Sequence, residues 1–383
     1  MKNRKERKIE YCTFLAYFVV VALFVVLRIC SHYNLFSFMG QYASFYMSLI
    51  TQVGIILLVP LIIFKYLTNA RMKDVVAFYG FKKISFKTIL WAILLGVVVF
   101  VMNIYVSNFF NNIIQYFGYK PLSGGSTMPA SWGMFFANLF CTAILPAICE
   151  EVLHRGMLLR GASKLGVKKA ILISGLLFGL LHLNIEQFFY ATIIGFFLGY
   201  LTLGCDSIYP AMIVHFMNNG ISVFLQFARA KGWAIGNVFT YLGEFLNNNY
   251  VIGIVILILL FILLYLLLGE ISRKIFMESF KTDFQKQQKN IQNQAMRQKY
   301  FGQIEEIKSG KSQGIYGGQD QRIIVDLKEF FEFVQSNIDG IVDSMDEQNP
   351  PAPTMDTKTK IFMLGSIALS TIVTIMTFIW GIL

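Results

Sequence analysis

The sequence predicts an all-α fold, a polytopic helical membrane protein with an eight-span core, a cytosolic insert and one further span near its C-terminal end. Three observations support this prediction. The 383 residues are 56% hydrophobic and only 14% charged. Several apolar runs approach the ~20 residues that a helix needs to cross a bilayer. Basic residues alternate with these runs as the positive-inside rule requires, so the net charge of +11 indicates membrane topology and no nucleic-acid partner.

Hydropathy and loop charge place the expected spans at residues 11–30, 44–64, 88–107, 134–159, 170–184, 186–203, 208–228, 250–268 and 359–383. The N-terminal run is longer than a signal-peptide core and is read as a retained first span. If the N-terminus is cytosolic, the loop from Arg71 to Lys87 and the segment from Arg160 to Lys169 fall inside. The expected location is therefore the cell membrane, multi-pass, with a cytosolic N-terminus.

Composition divides the chain into three parts. Residues 1–269 form the transmembrane core, residues 270–358 form a polar cytosolic region, and residues 359–383 form the C-terminal transmembrane helix. Within the polar region, apolar residues recur at helical spacing over 326–347, which predicts an amphipathic helix and suggests a cytosolic protein partner. A turn-rich loop with Pro121 and Pro129 is expected between the third and fourth spans.

Small residues recur every four positions in the fifth and sixth spans. The pairs are Gly175 with Gly179 and Gly195 with Gly199. Such spacing allows two helix backbones to approach closely, so these glycines are expected at a helix crossing.

A cluster of ionisable residues ends the fourth apolar run. Glu150 and Glu151 are followed by His154 and Arg155. An ionisable side chain at the centre of a span costs ~2.5–3.5 kcal/mol on insertion scales, so the cluster is read as functional. Because Glu151 and Arg155 lie four residues apart, they are expected to form an ion pair on one helix face, whereas Glu150 faces elsewhere.

Two of the four histidines, His182 and His215, lie inside later apolar segments. Counting ~1.5 Å per residue from the inner interface puts Glu150, His182 and His215 at roughly 14–20 Å depth. A shared water-filled pocket on the cytosolic side would explain all three polar groups together. Asn219 shares the helix face of His215.

These groups suggest hydrolysis. Glu150 and His182 would hold and deprotonate a water that attacks a peptide carbonyl, while His215 and Asn219 donate hydrogen bonds to the oxyanion. No cofactor is expected in this hypothesis. The alternative is a zinc enzyme with Glu150, His182 and His215 as ligands, since one carboxylate and two histidines are a known catalytic zinc set.

The same residues resemble the motifs of the CPBP family of intramembrane proteases, which includes type II CAAX prenyl endopeptidases and many bacterial "Abi" proteins. The chain matches Glu-Glu-x-x-x-Arg at Glu150, Glu151 and Arg155. It matches Phe-x-x-x-His at Phe178 and His182, and His-x-x-x-Asn at His215 and Asn219. The resemblance covers about residues 75–228 and includes the stretch from Phe78 to Phe81.

The resemblance implies a helical intramembrane endopeptidase whose first glutamate activates water, acting on a membrane-associated protein or peptide in the bilayer. Bacterial relatives often act in peptide maturation or bacteriocin self-immunity. The family was long described as metalloproteases, while prenyl endopeptidase relatives look metal-independent. Glu151, Arg155 and Phe178 are expected to support the catalytic residues.

Other residues receive structural interpretations. His154 is read as an interfacial histidine and Cys149 as inert packing, while Glu186 and Gln187 are expected to be solvated at an outer turn. Two other function classes compete with the protease. A non-catalytic immunity or scaffold protein could retain the fold, and a transporter could relay protons, although no convincing internal repeat supports the transporter.

Overall fold

A computed structural model describes residues 2–120, 130–238 and 355–382, together with isolated positions between 241 and 275. All regular structure in this part of the chain is helical. The helices are α1 (Lys2–His32), α2 (Ala43–Thr68), α3 (Met72–Phe78), α4 (Phe86–Tyr116), α5 (Trp132–Ala162), α6 (Val167–Leu181), α7 (Ile185–Cys205), α8 (Tyr209–Ala230) and α9 (Thr357–Ile382). Short 3₁₀ turns lie at Ser37–Tyr42, Ser163–Leu165 and Ala234–Asn237.

The polytopic all-α prediction is confirmed, because seven of the described helices are long and apolar enough to cross a membrane. The fifth predicted span corresponds to α6, which has only 15 residues. Helix α4 continues to Tyr116, well past the predicted end at residue 107, because hydropathy detects the bilayer and not the end of a helix. The predicted span at 250–268, the loop at 121–129 and the helix at 326–347 lie outside the described residues, apart from isolated positions in the first.

Two of the long helices contain π-helical turns that lie just before a proline. One turn covers Ile50–Leu58 ahead of Pro60 in α2, and another covers Leu139–Ile144 ahead of Pro146 in α5. Proline cannot donate to the carbonyl four residues earlier, so the backbone ladder is rearranged there. A further π-helical segment, Val152–Leu158, follows Glu151. Such segments change the direction in which successive side chains point, and they recur at functional sites.

Helices α6 and α7 form an antiparallel hairpin whose backbones meet at glycines. A Cβ atom placed on Gly195 would lie 2.8 Å from the Cα and carbonyl oxygen of Gly175, which is closer than packed atoms allow. A Cβ on Gly179 would lie 2.8 Å from the carbonyl oxygen of Phe188. At Gly199 the nearest atom, on Ile171, is 3.6 Å away, an ordinary contact. The crossing therefore depends on Gly175, Gly179 and Gly195, and Gly199 is not required for it.

The C-terminal helix α9 packs against α1, α6 and α7. Its buried face carries small residues, namely Thr359, Ser366, Ser370, Thr374, Thr377 and Gly381. At one end Phe362 contacts Tyr11, and at the other Trp380 stacks on His32 with ring centroids 5.5 Å apart, so α9 runs parallel to α1. The hydroxyl of Thr377 accepts a 3.1 Å hydrogen bond from the backbone N–H of Ile185 at the start of α7.

At the end of the bundle opposite Thr377 and Ile185, polar contacts join two loops and the end of α5. Asp206 pairs with Lys82 and with Arg160. Gly80, with φ of 76°, adopts a backbone conformation that favours glycine, and its carbonyl accepts a hydrogen bond from the N–H of Ile208. The stretch from Phe78 to Phe81 is thus fixed to the loop between α7 and α8.

The glycine crossing gives a testable difference between two substitutions. Gly195→Ala should destabilise the protein by about 1–3 kcal/mol, since the added methyl group forces α6 and α7 apart. Gly199→Ala is the control and should leave stability unchanged or raise it by up to about 1 kcal/mol, because alanine favours helix over glycine. Thermal unfolding of both variants in detergent would measure the difference, and equal melting temperatures would contradict the proposed crossing.

Candidate active site

A cavity of about 490 Å³ lies among α2, α5, α6, α7 and α8. Its acidic and histidine lining residues are Glu150, His182 and His215. The other polar lining residues are Ser48, Gln52, Asn138, Cys141, Thr142, Gln187, Tyr190, Asn218, Asn219, Ser222 and Gln226. A second cavity of about 190 Å³ shares Gln52, Glu150, His182 and Gln187 and reaches Arg28 on α1. The structure therefore places all four predicted catalytic residues, Glu150, His182, His215 and Asn219, around one cavity.

Glu150 is 8% exposed and borders both cavities. Its Oε1 atom accepts a 2.8 Å hydrogen bond from Nε2 of Gln52 on α2. Its Oε2 atom is buried and has no hydrogen-bond partner in the described part of the chain. One carboxylate oxygen is thus held by Gln52, and the other is buried at the cavity wall without a partner in the described residues.

Glu151 points away from Glu150 into the protein, as the 100° step between adjacent helical residues requires. It is fully buried, and its Oε1 atom accepts hydrogen bonds from Arg155 Nη1 at 2.9 Å and His215 Nδ1 at 2.8 Å. Arg155, also fully buried, donates a further bond to the carbonyl of Gly195 on α7. The ion pair that four-residue spacing predicts is therefore present, and it also holds His215 of α8.

The ring of Phe178 occupies the centre of this group. Its centroid lies 4.3 Å from the guanidinium carbon of Arg155, a cation–π contact. The rings of His182 and His215 meet it edge to face, with centroids 5.2 and 5.7 Å away. Phe178 thus separates the buried ion pair from the cavity and restricts the orientation of both histidine rings.

The hydrogen bonds of His182 identify its tautomer. Its Nδ1 atom lies 2.9 Å from the backbone carbonyl oxygen of Phe178. A carbonyl oxygen can only accept, so Nδ1 carries a hydrogen, and in the neutral ring Nε2 carries the lone pair. His182 can therefore accept a hydrogen bond or a proton through Nε2.

The prediction that His154 is interfacial is wrong. His154 is fully buried, donates from Nδ1 to the backbone carbonyl of Glu150 at 2.8 Å, and packs edge to face against Phe178 and Tyr17. Helix α1 covers this side of α5, and the sequence alone does not reveal that packing. His154 lines neither cavity.

A chain of amide side chains leads to Asn219. Asn103 of α4 donates to Asn218, Asn218 donates to Asn219, and Asn219 donates to the carbonyl of Thr142 at 3.2 Å. That carbonyl is available because Pro146, four residues later, has no N–H to bond with it. The proline in α5 therefore supplies the acceptor that positions Asn219, and Asn218 orients it from the same helix.

Several cavity residues were not predicted as site residues. Gln52 is the main omission, and the signal was a glutamine inside an apolar run. Gln187, expected to be solvated, instead lines both cavities, and Glu186 accepts a 2.8 Å bond from the hydroxyl of Tyr119. Sequence spacing alone could not show these contacts, because each joins separate helices.

The expected pocket near the inner interface is also corrected. The cavity-lining residues lie in the N-terminal halves of α2, α5 and α7, at the C-terminal end of α6 and in the middle and C-terminal part of α8. These ends lie opposite the contacts that join Asp206 to Lys82 and Arg160. The space beside Glu150, His182 and His215 therefore extends away from the basic loops, not toward them.

The zinc alternative requires three converging ligands. In the described ranges, no group of three His, Cys, Asp or Glu side chains is arranged to hold one metal ion. Glu150, His182 and His215 border the same cavity, but as placed they do not form a common ligand set. No catalytic step is therefore derived through a metal.

Residues 132–221 match the family model described as "Type II CAAX prenyl endopeptidase Rce1-like". The match includes Glu150, His182 and His215 and confirms the resemblance to the CPBP family over this part of the chain. This region is thus similar to a CAAX-type intramembrane protease domain, and it lies in a multi-pass membrane protein. No curated protein and no solved structure matches the chain.

The buried ion pair predicts a large loss on truncation of Arg155. Arg155→Ala leaves the Glu151 charge without its strongest partner and should cost about 3–5 kcal/mol of stability. The control is Arg71→Ala. Arg71 pairs with Asp74 at the surface, where the two side chains are 72% and 50% exposed, so the expected change is below about 1 kcal/mol. Thermal unfolding in detergent measures both, and similar melting temperatures would refute the assigned role.

Proposed function

We propose that the chain is an intramembrane endopeptidase that hydrolyses a peptide bond of a membrane-associated protein or peptide, using a water activated by Glu150. The observation that carries this proposal is the environment of Glu150. Gln52 holds one carboxylate oxygen, while the other is unpartnered in the described residues, and the side chain borders both cavities beside His182. The match to a CAAX-type protease domain supports the same reaction class.

Water activation is assigned to Glu150 together with His182. Because Nδ1 of His182 donates to the carbonyl of Phe178, its Nε2 atom can accept a hydrogen bond from the same water that donates to Glu150. General base catalysis of this kind contributes about 10²–10⁴ in rate. The water oxygen attacks the carbonyl carbon, and its proton passes to the Glu150–His182 pair.

Oxyanion stabilisation is assigned to His215 and Asn219. Nδ1 of His215 is engaged by Glu151, so Nε2 can donate to an oxyanion only when the ring carries a second proton. The Glu151 carboxylate stabilises that imidazolium, which makes Glu151 and Arg155 positioning residues. Asn219 uses one amide hydrogen on Thr142 and retains a second for the oxyanion. When the intermediate collapses, the C–N bond breaks and the leaving amine takes up the proton.

The location and orientation that we propose for the protein follow from the basic residues in its loops. The basic loops place the N-terminus in the cytosol under the positive-inside rule, in the cell membrane of the host. We also propose a cytosolic protein partner at residues 326–347 and a role in peptide maturation or bacteriocin self-immunity.

The acid and imidazole groups border one cavity beside the amide chain, and this arrangement is suited to polarising a carbonyl.

The decisive variant is Glu150→Gln, which can keep the hydrogen bond from Gln52 but cannot accept a proton. We expect loss of at least about 10² in cleavage rate with an unchanged melting temperature. Glu186→Gln, at the bond with Tyr119, is the control and should cleave normally. Mass spectrometry of membrane peptides from cells carrying each protein measures cleavage. If Glu150→Gln cells still contain the wild-type fragments, the role assigned to Glu150 is wrong. If they retain the wild-type phenotype without any cleavage, the non-catalytic immunity or scaffold function is favoured.

Metal dependence is tested separately. We expect the purified protein to contain no stoichiometric metal and to retain activity after treatment with a strong chelator. Elemental analysis and an activity assay on the same sample measure this. Loss of activity on chelation with recovery on adding Zn²⁺ would favour the zinc alternative, with Glu150, His182 and His215 moving together as ligands.

A further inference from the structure

The large cavity extends toward one end of the helical bundle. At this end α1, α6 and α8 finish, and α2, α5 and α7 begin, because successive spans are antiparallel. Gln226, near the end of α8, is an exposed lining residue on this side. Ser48 and Asn138 lie near the beginnings of α2 and α5. We call this end the cavity end.

Basic residues concentrate at the opposite end. Between residues 65 and 87 and between 160 and 169, the loops and helix ends there carry Lys82, Lys83, Arg160 and Lys169, among others, and Asp206 neutralises part of this charge. At the cavity end, the described basic residues are Arg28, Lys120, Arg229 and Lys231. The positive-inside rule therefore directs the cavity end away from the cytosol.

The cavity lining also indicates what could enter. The amides of Gln52, Asn138 and Asn218 each use one donor hydrogen on a protein partner and retain a second, and Gln187 adds a further amide. A peptide in extended conformation has backbone N–H and C=O groups that need such partners wherever water is scarce. An isoprenoid chain filling this space would instead cover these amides without bonding to them, which is unfavourable.

From the position and the lining of the cavity, we propose that the substrate is an unlipidated, polar peptide segment that enters in extended conformation from the extracytoplasmic face. Its cleavage rests on the proposed function, whereas the side of entry rests on the placement of the cavity and the basic loops. This substrate class differs from a prenylated cytosolic C-terminus.

Thiol labelling tests the side of entry without requiring catalysis. Gln226→Cys is introduced into a chain in which Cys30 and Cys141 are replaced by serine, and Arg71→Cys, at the basic end, is the matched control. Intact cells are treated with a membrane-impermeant sulfonated maleimide, before and after permeabilisation. Gln226→Cys should be labelled in intact cells and Arg71→Cys only after permeabilisation. The reverse pattern, or labelling of Gln226→Cys only after permeabilisation, overturns the proposal.

The substrate class is tested by comparing peptides from the medium and the membranes of wild-type and Glu150→Gln cells by mass spectrometry. Fragments specific to the wild type should come from extracytoplasmic segments and carry no lipid. If such fragments are cytosolic or prenylated, the inference fails while proteolysis stands. If no fragment differs, the proposed function itself fails, and the substrate assignment with it.

Discussion

The fully buried carboxylate of Glu151 is the group on which the arrangement of the site depends. It accepts hydrogen bonds from Arg155 on its own helix and from His215 on α8, and Arg155 in turn bonds to the backbone of α7. Charges buried away from water need partners of opposite charge, because removing one partner leaves the other uncompensated. One acidic side chain therefore ties three helices together beside the cavity.

This arrangement gives the two adjacent glutamates different tasks. Each glutamate has one carboxylate oxygen without a partner in the described residues, but Glu151 is fully buried against Arg155 and His215, whereas Glu150 borders the cavity. The helix separates them by rotation alone, and Phe178 lies between the ion pair and the histidine of α6. The buried ion pair of Glu151 and Arg155 lies next to Glu150 at the cavity wall. Neighbouring residues can therefore divide the positioning of the site and its reactivity between them.

The sequence contains enough information to predict the helical membrane fold and the principal polar residues. Apolar runs reveal the spans, and the rarity of charge inside them draws attention to Glu150, Glu151, Arg155, His182 and His215. Contacts between distant segments were not predictable in this way. The bond from Gln52 to Glu150, the place of Gln187 at both cavities and the burial of His154 under α1 all depend on which helix packs beside which.

The effects of proline on the backbone hydrogen bonds could not be predicted from the sequence either. Pro146 is recognisable as a helix-perturbing residue, but only the packed structure shows that the carbonyl it leaves unbonded is used by Asn219. Hydropathy could not predict the direction in which the cavity extends, because this direction depends on where the short helix α6 ends.

The bond between Thr377 and Ile185 has a practical consequence for anyone shortening this chain. The last helix looks dispensable in sequence because it follows a long polar stretch, yet its hydroxyl satisfies the first backbone donor of α7. Trimming the protein before residue 357 would remove that acceptor and expose to detergent or lipid the surfaces of α1, α6 and α7 that α9 covers. An excised middle region should therefore be replaced by a linker that retains residues 357–382.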